Sequence, residues 1–173
     1  SQLRTQPYGI VHLGTHAEFK ETSISNAHIQ FFDNKLGLDN VRELRLKDVE
    51  LLVLSACQTA LGNESAELGF AGFAHQAGVK SVIASLWVGT EDGSLALLSQ
   101  FYRVLKQENI IKAEALRQAQ IAMIRGEVSI KDGQMFLPGE SEGIPLTGKF
   151  ENLNSKLEHP YYWSNFTIVG NPW

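Results

Sequence analysis

Three short apolar runs occur along the chain, and each predicts a buried strand. They are Gly9–Leu13, Leu51–Leu54 and Ser81–Trp87, and the second contains four consecutive apolar residues. An uninterrupted run of this length is typical of a parallel strand that helices cover on both faces. Two weaker strands are expected at Ile29–Phe32 and Phe166–Val169. The pattern therefore predicts a sheet with a buried, parallel centre.

Apolar residues at helical spacing lie between these strands. They predict helices over Leu38–Val49, Ala66–Gly78, Asp92–Lys106 and Lys112–Arg125. In the third helix, four residues share the expected buried face: Leu95, Leu98, Tyr102 and Leu105. Strands that alternate with helices predict an α/β domain with a largely parallel sheet and right-handed crossovers. Catalytic groups are then expected at the carboxyl ends of the strands.

The segment 126–160 differs from the rest of the chain. It is polar, is rich in glycine, includes Pro138 and Pro145, and lacks sustained periodicity. These features predict a long loop or insertion. The chain has 173 residues, of which 43% are hydrophobic. This length and apolar content predict a single domain over residues 1–173.

Composition and charge exclude several classes of function. The formal net charge is −4, so no broad basic surface is expected for direct nucleic-acid binding. Cys57 is the single cysteine, which excludes a disulfide framework and a multi-cysteine metal site and favours a reducing, cytoplasmic location. No apolar run reaches the roughly 18 residues of a membrane span, and Ser1–Ile10 lacks the layout of a signal peptide. A membrane partner is therefore not expected.

One cysteine and one histidine each follow a predicted buried strand, in the segments Thr15–Ala17 and Ser55–Thr59. If the two strands are parallel neighbours, His16 and Cys57 lie at the same edge of the sheet. A neighbouring imidazole helps to ionise a thiol, and the thiolate attacks carbonyl groups. The alternatives are a free cysteine that fills the core and a histidine with a structural or surface role.

The residues around both positions resemble the CHAT family of caspase-like peptidases, which are related to separases. The similarity covers Val11–Phe19 and Leu52–Gly62, and continues through Gly78–Trp87, Lys112–Gln120 and His159–Trp163 in the same order. It implies a caspase-like three-layer sandwich, in which helices flank a mostly parallel sheet.

The resemblance implies a role for each of these residues. Cys57 is then the nucleophile and His16 the general base. His12 is the rival base, but strand alternation places it deeper in the sheet on the same face, so it is interpreted as a buried or supporting residue. The backbone amides of Cys57 and Ala17 are the implied oxyanion donors. Many relatives have glycine in place of Ala17, and alanine keeps the amide donor.

The segment after the third strand is expected to line the substrate pocket. Similar segments in separase-type enzymes carry an acid that receives arginine, which makes Glu91 or Asp92 a candidate for a basic-residue pocket. Trp87 is either a wall of that pocket or a core residue. In the alternative interpretation, Thr90 or Asp92 caps the following helix.

The resulting hypothesis is a cysteine endopeptidase that requires no metal or cofactor and acts on a protein or peptide substrate. The resemblance implies regulation by TPR-type repeats or a regulatory protein outside this chain. Few residues precede Tyr8, whereas caspase-like domains begin with further strand and helix units, so the chain is expected to be N-terminally incomplete. Two alternatives remain, a non-catalytic interaction module with the same fold and a cysteine hydrolase of esters or small amides.

Overall fold

A computed structural model of the protein describes residues 8–14, 16–18, 28–30, 35–37, 46–55, 71–72 and 74–173. Its strands are, in chain order, β1 (Ile10–Leu13), β2 (His16–Glu18), β3 (His28–Gln30), β4 (Lys35–Gly37), β5 (Leu51–Leu54), β6 (Ser81–Ser85), β7 (Ser129–Lys131), β8 (Gln134–Phe136), β9 (Ile144–Pro145), β10 (Ser155–Lys156) and β11 (Phe166–Gly170). Helices α1 (Glu91–Leu105) and α2 (Lys112–Ile124) lie between β6 and β7 in the sequence, and residues 71–72 and 74–76 are also helical. The chain divides into two compact units: the first comprises Ser1–Val88 and Asn165–Pro172, and the second Gly89–Ser164 and Trp173.

A four-stranded sheet with the order β1-β5-β6-β11 forms the centre of the first unit. β5 runs parallel to both β1 and β6, and β11 completes the sheet antiparallel to β6. The mixed α/β class with a mostly parallel sheet is therefore confirmed. β5 has the predicted bounds, β1 begins one residue later than predicted, and β6 ends two residues earlier.

One face of this sheet packs against the helical residues that precede β6. Leu52, Val82 and Ala84 are buried together with Ala71, Ala74 and other apolar residues. The last helical residue is Gln76, and Gly78, which follows in the turn that stops the helix, has a left-handed φ of 106°. A side chain there would come within 3.2 Å of the Lys47 backbone, so glycine suits both the conformation and the close approach. The predicted helix end at Gly78 is confirmed.

A second, three-stranded antiparallel sheet in this unit has the order β2-β3-β4. β3 overlaps the weak strand predicted at Ile29–Phe32. The helix predicted over Leu38–Val49 is wrong at its C-terminal end, and its residues 38–45 lie outside the described residues. Leu46 and Val49 flank a turn, and the Leu46 amide donates to the Ala77 carbonyl at 3.2 Å instead of to a preceding helical turn.

Helices α1 and α2 pack against each other in the second unit. Both predicted helices are confirmed to within one residue at each end. The predicted buried face of α1 is wrong for three of its four members, because Leu95, Tyr102 and Leu105 are only half-buried. The fully buried hydrophobic residues are instead Ala96, Leu97, Leu98, Phe101 and Val104. Two apolar stripes with helical spacing overlap on this helix, and the sequence pattern alone does not distinguish them.

The segment predicted as a long loop or insertion contains a four-stranded antiparallel sheet with the order β10-β7-β8-β9. β7 and β8 form a hairpin around Asp132 and Gly133, both of which have left-handed φ angles. Asp-Gly is a preferred pair for a two-residue hairpin turn, because both positions require positive φ. The strands contain only two or three residues, too few for periodicity to reveal them.

Candidate active site

The carboxyl ends of β1 and β5 lie side by side at one edge of the four-stranded sheet. Leu13 pairs with Leu54, and the next amide, that of Ser55, donates to the Leu13 carbonyl at 3.2 Å. β1 and β5 are thus parallel neighbours, which is the condition under which His16 and Cys57 were expected to share an edge. Cys57 follows Ser55 by two residues and lies outside the described residues.

A histidine and a serine are hydrogen-bonded at this edge. The distance between Nε2 of His12 and Oγ of Ser55 is 2.7 Å. His12 is exposed, so the interpretation of it as a buried residue is wrong, whereas a supporting role stays a prediction. Although the residue as a whole is exposed, desolvation of its ring by neighbouring groups lowers the pKa of His12 below its ordinary value, and the imidazole is therefore mainly neutral at neutral pH.

Glycine keeps space open beside this pair. A side chain at Gly14 would lie 3.5 Å from Oγ of Ser55 and 4.0 Å from Nε2 of His12. These distances place position 14 on the same side of the sheet as His12, as strand alternation predicted. The β1–β5 edge therefore offers an imidazole and a hydroxyl next to the segments that lead to His16 and Cys57.

His16 and Ala17 are the first two residues of β2. They pair with Gln30 and Ile29 of β3 in an antiparallel ladder. Among the described residues, β2 is an edge strand of its sheet, so alternate amides point away from β3. An amide that points away from β3 can donate to a bound group, and the role of the Ala17 amide as an oxyanion donor stays a prediction.

The two candidate pocket acids lie in the first turn of α1 and both have partners. Glu91 forms an ion pair with Lys149, and Oδ2 of Asp92 accepts a hydrogen bond from Ser155 at 2.7 Å. Partial burial acts to raise the pKa of Asp92. The hydrogen bonds from the side chains of Thr90 and Ser155 and from the Gly93 and Asp92 backbone outweigh burial, so the pKa of Asp92 lies below its ordinary value.

Thr90 caps α1, as the alternative interpretation of this segment stated. Its Oγ1 accepts a hydrogen bond from the Gly93 amide at 3.1 Å. Glu91 and Asp92 occupy the first turn, where the unpaired amides and the helix dipole favour negative charge. Capping therefore accounts for the threonine and for part of the acidic character of this segment.

Trp87 follows β6 and is too exposed for a core residue. The residue is 37% exposed. Its carbonyl accepts a hydrogen bond from Nδ2 of Asn165 at 3.3 Å, and Asn165 itself is almost fully buried. The backbone of Trp87 is thus anchored while its side chain remains partly accessible, and its role as a wall of the substrate pocket stays a prediction.

Comparison with known proteins identifies the family of the chain. The sequence profile of the CHAT domain matches residues 1–171. The chain belongs to the CHAT domain family. A search of curated proteins finds none that matches. The caspase-like relationship expected from the resemblance therefore rests on the family match together with the mostly parallel sheet.

Three polar contacts of this CHAT domain were not predicted from the sequence. They join Ser55 to His12, Lys149 to Glu91 and Ser155 to Asp92. No local motif identifies such partners, since each contact links residues at least 43 positions apart, as in the first pair. Two of the partners belong to the segment that was predicted as a loop.

A metal site and a membrane-spanning helix are two further features that could indicate function in the described part of the CHAT domain. Over these residues, no cluster of three or more histidine, cysteine, aspartate or glutamate side chains has the geometry to hold a metal ion. Within the same residues, no helix is both long and apolar enough to cross a bilayer. Among the described residues, the candidates lie in β2, which contains His16 and Ala17, and in the first turn of α1, which contains Glu91 and Asp92.

Proposed function

We propose that this CHAT domain is a cysteine endopeptidase that uses a dyad of Cys57 and His16. The observation that supports the proposal most directly is the parallel pairing of β1 and β5, with the Ser55 amide bonded to the Leu13 carbonyl. The chain continues from this edge to His16 on one side and to Cys57 on the other. In parallel α/β sheets, such an edge is where reactive groups gather.

The proposed reaction proceeds through an acyl-enzyme. His16 takes the proton of Cys57, and the thiolate attacks the carbonyl carbon of the scissile peptide bond. The backbone amides of Cys57 and Ala17 stabilise the oxyanion that forms. The C–N bond then breaks, and His16 returns the proton to the leaving amine. Water, activated by the same imidazole, attacks the thioester and releases the carboxylic acid, so no metal or cofactor takes part.

Cleavage after a basic residue is the finer part of the proposal. It assigns Trp87 to the pocket wall and Glu91 or Asp92 to the acid that receives a guanidinium. Glu91 is paired with Lys149, and Asp92 with Ser155 and the helix cap. A substrate arginine that binds Glu91 would therefore displace the Lys149 ammonium or share the Glu91 carboxylate with it. Since Asp92 has more hydrogen bonds to lose, Glu91 is the better candidate of the two.

The proposed substrate is a protein or peptide, and regulation is assigned to TPR-type repeats or a regulatory protein outside this chain. The single cysteine supports a cytoplasmic setting. Direct nucleic-acid and membrane contacts are not part of the proposal, because the net charge of −4 provides no broad basic surface.

The dyad is tested with peptide acyloxymethyl ketones that carry arginine, lysine or aspartate next to the reactive group. We expect labelling of the wild type, none of Cys57→Ala, and a rate lowered at least about a hundredfold in His16→Ala, because the thiolate loses its base. His12→Ala is the matched control, since it removes a histidine from the same edge, and its rate should stay within a few-fold of the wild type.

Other outcomes would contradict specific parts of the proposal. Normal labelling of His16→Ala, with loss in His12→Ala, would make His12 the base. If circular dichroism shows a folded wild type that no probe labels, the chain is either an interaction module or a peptidase that needs further N-terminal strands, and labelling of a longer protein that includes those strands separates the two. A preference for the aspartate probe would remove the basic pocket while leaving the dyad intact.

A further inference from the structure

A polar cleft lies within the second unit, between α1 and α2. Its volume is about 600 Å³, which is within the usual range for small-ligand sites. Its principal lining residues are Gln100, Arg103 and Val104 from α1, Arg117 from α2, Arg125 at the end of α2 and Pro138 from the turn after β8. None of the candidate peptidase residues belongs to this lining, so the cleft is a separate feature of the molecule.

One lining residue is a buried glutamine whose side-chain carbonyl oxygen lacks a hydrogen-bond partner. Gln100 is 5% exposed, and its Oε1 has no hydrogen-bond partner in the part of the chain that the structure describes. Buried oxygen acceptors are nearly always paired with a donor, because desolvation without a hydrogen bond is unfavourable. Buried Val104 and Ala122 also line the cleft. A ligand with an N–H or O–H group and an apolar part would complement these residues.

The charge of the lining is positive in a chain that is negative overall. Three arginines line the cleft against one lining carboxylate, Glu127, whereas the whole chain has a net charge of −4. Two of the arginines also pair with carboxylates that are not part of the lining, Glu140 and Glu114, so Arg125 contributes most to the positive charge of the cleft. An anion is therefore the kind of ligand that this cleft would attract.

The three arginines differ in how many of their guanidinium N–H groups are already bonded to other residues. Arg103 is held by an ion pair with Glu140, at 3.0 Å, and by a hydrogen bond to the Pro138 carbonyl, so its guanidinium is fixed in one position at the side of the cleft. Arg117 uses Nε and Nη2 for its two bonds to Glu114. Arg125 lies 3.8 Å from Glu127, which is longer than a hydrogen bond. Arg125 is thus the guanidinium whose carboxylate partner holds it least, and it is exposed at 66%.

We propose that the α1–α2 cleft binds a small organic anion. Its carboxylate or phosphate group contacts Arg125 and Arg117, and an N–H or O–H donor of the ligand bonds to Oε1 of Gln100. The proposal does not depend on peptidase activity, because it uses none of the dyad or pocket residues. It assigns to this domain a ligand site that is distinct from its candidate active site.

Isothermal titration calorimetry of the 173-residue chain tests the proposal with two probes, adenosine monophosphate and citrate. Both carry hydroxyl donors, and they separate a phosphate-bearing ligand from a carboxylate-bearing one. We expect one of them to bind, and binding to weaken as sodium chloride is raised. Arg125→Gln should weaken binding about tenfold or more, because it removes a charge-assisted contact. Lys131→Gln makes the same change of charge at an exposed position outside the cleft, and it should alter binding less than about twofold.

Gln100→Leu gives a second, independent readout. Leucine has nearly the same size but no acceptor, so binding should weaken while the melting temperature of the unliganded chain stays the same or rises. Two results would overturn the proposal: no binding of either probe at millimolar concentration to the folded wild type, or equal binding by wild type, Arg125→Gln and Gln100→Leu. In either case the cleft is not the anion site proposed here.

Discussion

The two four-stranded sheets of this CHAT domain are stabilised in different ways. In β1-β5-β6-β11, every residue of β6 is buried, and so are three of the four residues of β5. In β10-β7-β8-β9, only the middle residues of β7 and β8, Ile130 and Met135, are buried. The central strands of the first sheet, β5 and β6, depend on side chains buried on both faces, whereas the second sheet depends on one buried row and on its turns. Burial and turn geometry are thus separate routes to a stable sheet within one chain.

This difference explains what the sequence could predict about the fold. A strand buried on both faces requires consecutive apolar residues, and Leu51–Leu54 was predicted with its observed bounds. A strand of three residues with one buried position produces no such run, and the segment was interpreted as a loop. Its signal is local: Asp132-Gly133 lies between Ile130 and Met135, the arrangement of a tight hairpin.

The largest effect is expected from a cavity in the parallel sheet. Ile83 is fully buried in β6 between β5 and β11, and Ile130 is nearly as buried in β7. Ile83→Ala should lower the free energy of unfolding by about 4 kcal/mol, because strands on both sides limit collapse around the cavity. Ile130→Ala should cost about 2 kcal/mol, since the short strands around it can relax. Urea denaturation measures both.

Equal losses of unfolding free energy in the two variants would contradict the proposed difference between the sheets. If Ile130→Ala destabilised the chain as much as Ile83→Ala, the small sheet would be as rigid as the parallel one. Its stability would then not depend mainly on its turns.

The candidate site was predictable to the same extent as the strands that support it. Because Gly9–Leu13 and Leu51–Leu54 were recognised as buried strands, their carboxyl ends could be placed together, and β1 and β5 are parallel neighbours. The contact between Lys149 and Glu91 was not predictable, because the lysine belongs to the segment interpreted as a loop. The bond between Ser55 and His12 depends on rotamers that no sequence pattern specifies.

A smaller effect is expected at the turn of the β7–β8 hairpin. Gly133 has a φ of 69°, and an added Cβ would lie 1.9 Å from the Glu151 carbonyl oxygen. Gly133→Ala should therefore lower the free energy of unfolding by about 2 to 3 kcal/mol, because alanine is strained at a left-handed φ and its Cβ displaces the neighbouring Glu151 backbone. Gly148→Ala is a matched control, since its φ is 63° and no atom lies within 4 Å of the added Cβ.

Gly148→Ala should lower the free energy of unfolding by about 1 kcal/mol, because only the strain of alanine at a left-handed φ is added. Urea denaturation of both variants gives the difference. If the two substitutions cost the same, close packing of the turn against Glu151 contributes nothing, and the small sheet would depend on its buried row alone.

The smallest effect is expected at the hydrogen bond that joins Ser155 of β10 to Asp92 in the first turn of α1. The pKa of Asp92 is lowered in the folded chain, so its carboxylate contributes stability above the unfolded pKa of about 4, and this contribution is lost as the pH falls through the lower folded value. Asp92→Asn should cost less than about 1 kcal/mol at pH 7, because solvent screens this half-exposed group. Urea denaturation at pH 7 and at pH 2.5 should show that the loss of unfolding free energy in Asp92→Asn is smaller in acid.

Ser155→Ala removes one of the hydrogen bonds to Asp92 and should reproduce part of the same pH dependence. A deficit of equal size at both pH values would mean that the contact depends on shape and not on charge, and Asp92 would then act as a neutral link between the small sheet and the helix.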